Sequence, residues 1–248
     1  MRFTRTLGLA WMLAGLPFTL WAADIKVISS TGMSTMFKQL LPVFEQSSGH
    51  KVAISYDTSN IILRRLQGGE TADLVILTAP LIDQLTQQGK VVSGSRVDLA
   101  RSGIGVAVRE GAPRPDISNL ENFKALLLQA KSVTYTATGA SGIYFAGVTD
   151  KLGIGPVIKA KAITPAGGHV AELVAKGEAE VGIQMVSEIK GVPGAVYLGP
   201  LPADIQLFTI FSAGMLSGSQ AVAPAQALVQ FLTSPAAIKV YEASGMER

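Results

Sequence analysis

The residues that offer chemistry in this sequence are the hydroxyl and glycine residues between a strand pattern and a helix pattern. They occur at four places, residues 29–33, 57–61, 139–143 and 166–170. Such junctions present unpaired backbone N–H groups and hydroxyl donors at the start of a helix, where the helix dipole favours negative charge. A single junction is common in α/β proteins. Four of them, two in each half of the chain, predict a binding site for a small anion.

The residue types do not support other kinds of reactive site. The sequence has no cysteine and two histidines, His50 and His169, so thiolate chemistry is excluded and a histidine metal cluster is not expected. Neither a nucleophile elbow, a phosphate-binding P-loop nor a paired metal-ligand motif is present. We therefore expect no metal and no cofactor, and the sequence does not support a hydrolase, a nucleotidase or a metalloenzyme.

The junctions are positioned by strands that alternate with helices. Residues 25–28 form a β-branched strand pattern that leads into helical spacing from Met33, and residues 52–56 alternate before a helix at residues 61–66. The apolar segment 72–77 is typical of a central parallel strand. This order predicts an α/β fold, in which ligands bind beyond the carboxyl ends of the strands.

The second half of the chain repeats the pattern after a glycine-rich strand at about residues 101–108. Further predicted strands lie at 132–136, 181–185 and 206–213, and further predicted helices at 123–130, 143 onward, 170–176, 223–232 and 235–243. The chain must leave the first lobe near Gly103 and return near Phe208. We therefore predict a discontinuous lobe 1, residues 24–103 plus 209–248, and a lobe 2, residues 104–208.

The N-terminus has the features of a secretory signal peptide. Arg2 and Arg5 precede an apolar run over residues 7–22, and polar sequence begins at Asp24. The run is interrupted by glycine and proline and falls short of the ~20 apolar residues of a membrane-spanning helix. We expect residues 1–23 to be a signal peptide, cleaved near Ala22 or Ala23, and the mature protein to be periplasmic.

Composition indicates a folded protein with little net charge. Hydrophobic residues make up 48% and charged residues 16% of the chain, which is too apolar for disorder. Without Arg2 and Arg5, 19 basic residues stand against 18 acidic ones. Nothing here favours nucleic acid as a partner, and we expect a monomer that binds a small anionic ligand.

The chain resembles the periplasmic solute-binding proteins of the molybdate-binding type. The resemblance covers nearly the whole predicted mature chain and rests on residues 25–30, 66–74, 140–144, 176–183 and 231–235. It implies a two-lobed, type II periplasmic binding protein with a ligand cleft between the lobes. It also implies an oxyanion or carboxylate ligand, held by hydroxyls and amides, and a membrane permease of an ABC transporter as a partner.

The resemblance also implies which residues bind the ligand. The loops supply Thr31, Gly32 and Met33; Thr58, Ser59 and Asn60; Ser141 and Gly142, with Tyr144 nearby; and His169 and Val170. Two positions depart from the molybdate pattern. Gly32 stands where a serine is expected, and Met185 stands where a tyrosine is expected, so two hydroxyl donors are missing. A larger or partly organic anion fits this pattern better than molybdate does.

The sequence is similar as well to the aconitate isomerase-like members of this family, notably over residues 94–102 and 111–117. Interconversion of trans- and cis-aconitate needs a base that removes a proton beside a carboxylate-bearing double bond, and donors that hold the developing charge. His169 is the candidate for the base, with a helix-capping or surface histidine as the alternative. Tyr144 or Tyr56 are candidate donors.

Two arginines, Arg64 and Arg65, offer a possible carboxylate clamp in the helix after the second loop, with a solvated helix face as the alternative. Two functions therefore stay open. The leading one is capture of a small oxyanion or carboxylate for an ABC transporter, without enzymatic activity. The alternative is a periplasmic aconitate isomerase that works by proton transfer on the same fold.

Overall fold

Strands and helices alternate along residues 23–248, the part of the chain that the computed structural model describes. The predicted signal peptide lies outside the described residues, apart from Ala23. Within the described part, no helix has both the length and the apolar character needed to cross a bilayer.

The sheet contains nine strands within the described range. They are β1 (Asp24–Ser30), β2 (Lys51–Asp57), β3 (Leu74–Thr78), β4 (Val97–Arg109), β5 (Val133–Thr134), β6 (Ala162–Ile163), β7 (Val181–Met185), β8 (Ala195–Pro200) and β9 (Phe208–Met215).

Ten α-helices and two 3-10 helices cover the sheet in the same range. The α-helices are α1 (Ser34–Ser48), α2 (Ser59–Gln67), α3 (Ala79–Gln87), α4 (Leu120–Gln129), α5 (Ala140–Lys151), α6 (Gly155–Ala160), α7 (Val170–Lys176), α8 (Val186–Ile189), α9 (Val222–Leu232) and α10 (Pro235–Ala243). The 3-10 helices are Thr31–Met33 and Ala203–Ile205.

The strand order is β2-β1-β3-β9-β4-β7-β5-β6, with β8 also paired to β4. β1 lies parallel to β2 and β3, whereas β9 runs antiparallel to both β3 and β4. On the far side, β5 lies parallel to β6 and β7. The parallel strands at each end of the order aim their carboxyl ends, and the helix starts that follow them, at the middle of the molecule.

The long strand β4 passes from one lobe to the other. Its first part pairs with β9, ending at the pair Gly103 and Phe208, and its second part pairs with β7, beginning at Ile104 and Met185. Two antiparallel strands, β4 and β9, therefore meet at the point where β4 changes its neighbour. The predicted residue boundaries of the lobes stay a prediction.

The core forms where apolar faces of the helices cover the sheet. Every residue of β3 and of β7 is buried, as expected for central strands. β3 has a parallel neighbour on one side only, because β9 returns antiparallel on the other. Phe37 of α1 and Phe123 of α4 are fully buried in the same large cluster. The predicted α/β fold class is confirmed, whereas α3, α6, α8 and β8 were not predicted.

Candidate anion-binding cleft

A small pocket lies where the starts of several helices converge. Both halves of the chain contribute, because strands on either side of the β4 crossing end at this point. The lining consists of Ser30, Thr31, Gly32, Thr58, Ser59, Thr78, Thr136, Gly139, Ala140, Ser141, Gly168, Met185, Glu188 and Phe211.

Three of the helices that begin at the pocket have no side-chain cap of their own. Thr58, Thr78 and Gly139 are the N-cap residues of α2, α3 and α5, have extended backbone angles, and make no side-chain capping bond. By contrast, Asn119 and Ser234 cap α4 and α10, which do not border the pocket, by accepting backbone N–H groups. The first N–H groups of α2, α3 and α5 therefore remain available to an anion, apart from Pro80 of α3, which has none. The three helix dipoles also favour an anion.

Hydroxyl groups supply further donors, and one of them lacks any partner. Ser59, the first residue of α2, is 4% exposed, and its Oγ makes no hydrogen bond with the described residues. An unsatisfied buried hydroxyl costs about 1–3 kcal/mol, so folded proteins rarely retain one without a reason. Ser59 lines the pocket together with Ser141, another buried serine. The Ser59 hydroxyl is therefore free to donate to a ligand oxygen between the helix starts.

The electrostatic character of the pocket comes from neutral donors and one carboxyl group. No lysine, arginine or histidine of the described residues lines it, and Glu188 is its only titratable side chain. Burial raises the pKa of Glu188 to about 8, while hydrogen bonds from the Met185 N–H and the Gln184 side chain act in the opposite direction. At neutral pH the Glu188 carboxyl is therefore mostly protonated, so it adds little negative charge to a pocket that suits anions.

His169 lies behind the pocket lining. Its Nδ1 lies 3.3 Å from the Glu188 carbonyl oxygen, which can only accept, so Nδ1 carries the proton. Nε2 lies 3.1 Å from Ser34 Oγ and accepts from that hydroxyl in the neutral imidazole. Burial lowers the pKa of His169, which favours this neutral form. Both ring nitrogens are thus engaged by protein groups.

The aromatic ring of Phe211 explains why residue 32 is a glycine. A Cβ on Gly32 would lie 2.5 Å from Phe211 Cζ, closer than side-chain carbons pack. Phe211, from β9, therefore occupies the space that the side chain of a serine at residue 32 needs. With Met185, the ring gives the pocket an apolar wall. The two departures from the molybdate pattern thus replace hydroxyl donors with hydrocarbon surface.

Hydrogen bonds close the cleft between segments from the two halves of the chain. Thr138 donates to the Ala166 carbonyl, so the 2.7 Å contact between its Oγ1 and Thr58 Oγ1 has Thr58 as the donor. Asn60 Nδ2 donates to the Thr138 carbonyl at 2.9 Å, and Ser187 Oγ donates to the Gly32 carbonyl at 3.0 Å. The structure therefore describes a closed arrangement, in which segments of both halves are bonded across the pocket.

Comparison with known proteins agrees with this architecture. Residues 25–247 match the model of a family described as bacterial extracellular solute-binding protein. The chain belongs to this family.

Relatives of this solute-binding protein have two different names. An aconitate isomerase of Pseudomonas sp is 38% identical over 242 residues, covering 95% of this chain and 90% of the relative. The molybdate-binding protein ModA of Azotobacter vinelandii is 27% identical over 241 residues, covering 90% of each chain. The solved structure of the Azotobacter vinelandii periplasmic molybdate-binding protein covers 90% of this chain and 99% of its own, with a TM-score of 0.77 and 18% identity. That likeness shows the fold, a two-lobed type II binding protein.

Half of the predicted ligand residues line the pocket of this solute-binding protein. They are Thr31, Gly32, Thr58, Ser59, Ser141 and Met185. These residues share a position at the carboxyl end of a strand or in the first turn of the helix that follows, and the resemblance to the molybdate-binding type implied each of them.

The other predicted residues lie next to the pocket or farther away. Met33 and Val170 are buried in the protein core, and Asn60 spans the cleft through its bond to Thr138. Gly142 packs so closely against the Thr136 carbonyl that a Cβ would overlap it. His169 lies behind the lining, as described above.

The tyrosines and arginines considered from the sequence do not reach the pocket lining. Tyr144 donates its hydroxyl to the Ile205 carbonyl at 3.1 Å, and Tyr56 lies on β2. Arg64 is exposed. Arg65 binds Glu70, with Nε to Oε2 at 2.6 Å. No guanidinium clamp therefore faces the ligand in the described structure.

Glu188 and Phe211 are the lining residues of greatest consequence that the sequence did not reveal. One signal for Glu188 was present, since it is an acidic residue between Val186 and Ile189, three positions after the end of a buried strand. No local signal distinguishes Phe211, because its ring reaches the pocket through the pairing of β9 with β3 and β4.

Proposed function

We propose that this protein binds a small di- or tricarboxylate in its cleft and acts as an aconitate isomerase, interconverting trans- and cis-aconitate. The observation that carries this proposal is the composition of the pocket. It combines unpaired neutral donors at three helix starts, an apolar wall and a single titratable carboxyl group. Helix starts and hydroxyls suit carboxylate groups, and the apolar wall suits a carbon skeleton.

The residues at the two positions that differ from the molybdate pattern support an organic ligand. Phe211 fills the space beside Gly32, and Met185 adds a thioether in place of a phenol. A tetrahedral oxyanion presents oxygen in every direction and gains nothing from this surface. A tricarboxylate with a three-carbon backbone presents carbon there. The 38% identity with an aconitate isomerase over nearly the whole chain supports the same substrate class.

A second candidate function is capture of an oxyanion or carboxylate for delivery to the permease of an ABC transporter. Membership in the extracellular solute-binding family and the 27% identity with a molybdate-binding protein favour it. The bonds that close the cleft are compatible with both functions, because a transported ligand and a substrate must each be enclosed. Both functions include export to the periplasm, as the N-terminal sequence predicts.

One pair of measurements separates the two functions. Purified mature protein is titrated by calorimetry with molybdate, sulfate, citrate, trans-aconitate and cis-aconitate, and trans-aconitate is then followed by chromatography at catalytic protein concentrations. We expect the aconitates to bind more tightly than molybdate and trans-aconitate to be converted to cis-aconitate. Tight molybdate binding with no conversion of either aconitate would refute the isomerase and favour transport.

A further inference from the structure

Glu188 is a buried carboxyl group at the wall of the pocket. It is the third residue of α8, it is 7% exposed, and its side chain lines the pocket between the helix starts. Its Oε2 accepts the Met185 N–H at 3.3 Å, which closes a capping box at the start of α8. The side chain is therefore fixed in direction by the backbone that carries the pocket wall.

No ion pair stabilises the charge of this carboxyl group. The 3-10 helix Thr31–Met33 and β7 carry no titratable side chain. Titratable side chains are carried by other elements packed against α8: Lys38 and Glu45 on α1, Asp98, Arg101 and Arg109 on β4, and Tyr197 on β8. Lys190 follows α8 directly, and His169 contacts the Glu188 carbonyl. Arg101 pairs with Glu247, and the Lys190 ammonium lies over the Tyr197 ring. None of these groups contributes to the pKa of Glu188, which burial raises to about 8, against hydrogen bonds from Met185 and Gln184.

Resting on the isomerase function proposed above, we propose that the Glu188 carboxyl is the catalytic base and acid that moves the proton during isomerisation. Glu188 is the only lining residue of the described chain that exchanges a proton at ordinary pH. His169, by contrast, has both nitrogens bonded to protein atoms, to the Glu188 carbonyl and to Ser34.

The proton transfer balances without any further reactant. Aconitate carries a methylene group between one carboxylate and the carbon–carbon double bond. The Glu188 carboxylate takes a proton from this methylene, and the double bond moves to join the methylene carbon to the central carbon. The protonated carboxyl then gives its proton to the former vinylic carbon. One C–H bond breaks and one forms, and the orientation of the skeleton in the cleft sets the geometry of the new double bond. The neutral donors at the helix starts hold the charge that develops on the carboxylates.

The proposal predicts that kcat/KM rises with pH. The reaction begins with the deprotonated carboxyl, so kcat/KM should rise about tenfold per pH unit below pH 8 and level off above it, since kcat/KM reports the free enzyme's ionisation. A role confined to capping the helix predicts no such profile.

The decisive variant is Glu188→Gln, because glutamine also closes a capping box and cannot act as a base. We expect it to keep the parent's Tm and its affinity for aconitate, to lose turnover by at least the ~10²-fold of positioned proton transfer, and to lose the pH profile. In D₂O the parent should exchange the methylene protons of aconitate, as followed by NMR, whereas Glu188→Gln should not. Glu188→Asp, which keeps the carboxyl one methylene farther back, should retain the pH profile at a reduced rate.

The outcomes separate this proposal from the function on which it rests. Turnover by the parent together with turnover by Glu188→Gln within tenfold overturns the assignment to Glu188 and leaves the isomerase function standing. Absence of turnover in the parent overturns both. If Glu188→Gln lowers the Tm, the test uses Glu188→Asp instead. A Glu188→Asp protein that binds aconitate but has lost the pH dependence of kcat/KM overturns the assignment. One that keeps this pH dependence supports it.

Discussion

Replacing Ser59 tests whether its buried hydroxyl contacts the ligand or supports the fold. Replacement by alanine removes an Oγ that has no hydrogen-bond partner among the described residues and leaves the backbone of α2 in place. For most buried serines this substitution breaks a bond and destabilises the protein. For Ser59 it breaks none in the ligand-free state, so stability and affinity should respond in opposite directions.

The expected magnitudes follow from the state of the hydroxyl before and after binding. In the free protein, Ser59→Ala relieves an unsatisfied group that costs about 1–3 kcal/mol, so the free energy of unfolding should stay the same or rise by up to about that amount. In the complex, the variant loses a hydrogen bond to a charged carboxylate, worth about 1.5–3 kcal/mol. Affinity for aconitate should therefore fall roughly 10- to 150-fold.

Ser187→Ala provides the matched control, since Ser187 is also buried near the pocket but donates to the Gly32 carbonyl at 3.0 Å. This variant leaves a buried carbonyl without its partner and should lower the free energy of unfolding by about 1–3 kcal/mol. That corresponds to several degrees in Tm, at about 2–4 °C per kcal/mol for a chain of this size. Thermal unfolding without ligand and calorimetry with aconitate measure both quantities. A Ser59→Ala protein that is destabilised like the control and binds with the parent's affinity refutes the reasoning.

Three further experiments, with four substitutions in all, test the cleft and the structure around it. Asn60→Ala removes the 2.9 Å bond to the Thr138 carbonyl and should weaken the closed state, lowering ligand affinity by about 2- to 12-fold in calorimetry. Gly32→Ser should destabilise the protein because its Cβ meets Phe211. This cost should shrink in a Phe211→Ala background, which by itself loses about 3–5 kcal/mol because Phe211 is a buried core residue. Burial raises the pKa of Asp73, but hydrogen bonds from backbone and side-chain donors outweigh burial and lower it overall. Asp73→Asn should therefore lose about 1–3 kcal/mol at pH 7, a difference that shrinks below about pH 4 in denaturant titrations.

The pocket residues that could be predicted from the sequence are those fixed by local patterns. Thr31, Thr58 and Ser141 stand where a strand pattern changes to a helix pattern, and each of these junctions reaches the same pocket because the carboxyl ends of parallel strands meet. The α/β fold class could be predicted for the same reason, since alternation of strands and helices leaves few ways to bury both faces of a sheet.

The residues that could not be predicted depend on contacts between distant segments. His169 was placed correctly at the start of α7, but its ring direction is set by Ser34, 135 residues earlier. Thr138 lies one residue before the predicted third loop, and its role arises only when the two halves close. The short helix α8 follows a strand without a glycine or proline to mark it, so neither the helix nor Glu188 on it was expected.

The absence of a cationic side chain from the described pocket has two consequences that reinforce each other. A lysine or arginine beside Glu188 would bind a tricarboxylate strongly, but it would also lower the pKa of the carboxyl and weaken it as a base. In the proposed complex, helix starts and hydroxyls hold the carboxylates by hydrogen bonds and dipoles without a full positive charge, so no cation lowers the pKa of Glu188 from about 8. A bound anion then raises that pKa further, since like charges disfavour ionisation, and makes return of the proton easier. A fold that holds anions with neutral donors therefore already contains the environment that acid–base chemistry needs.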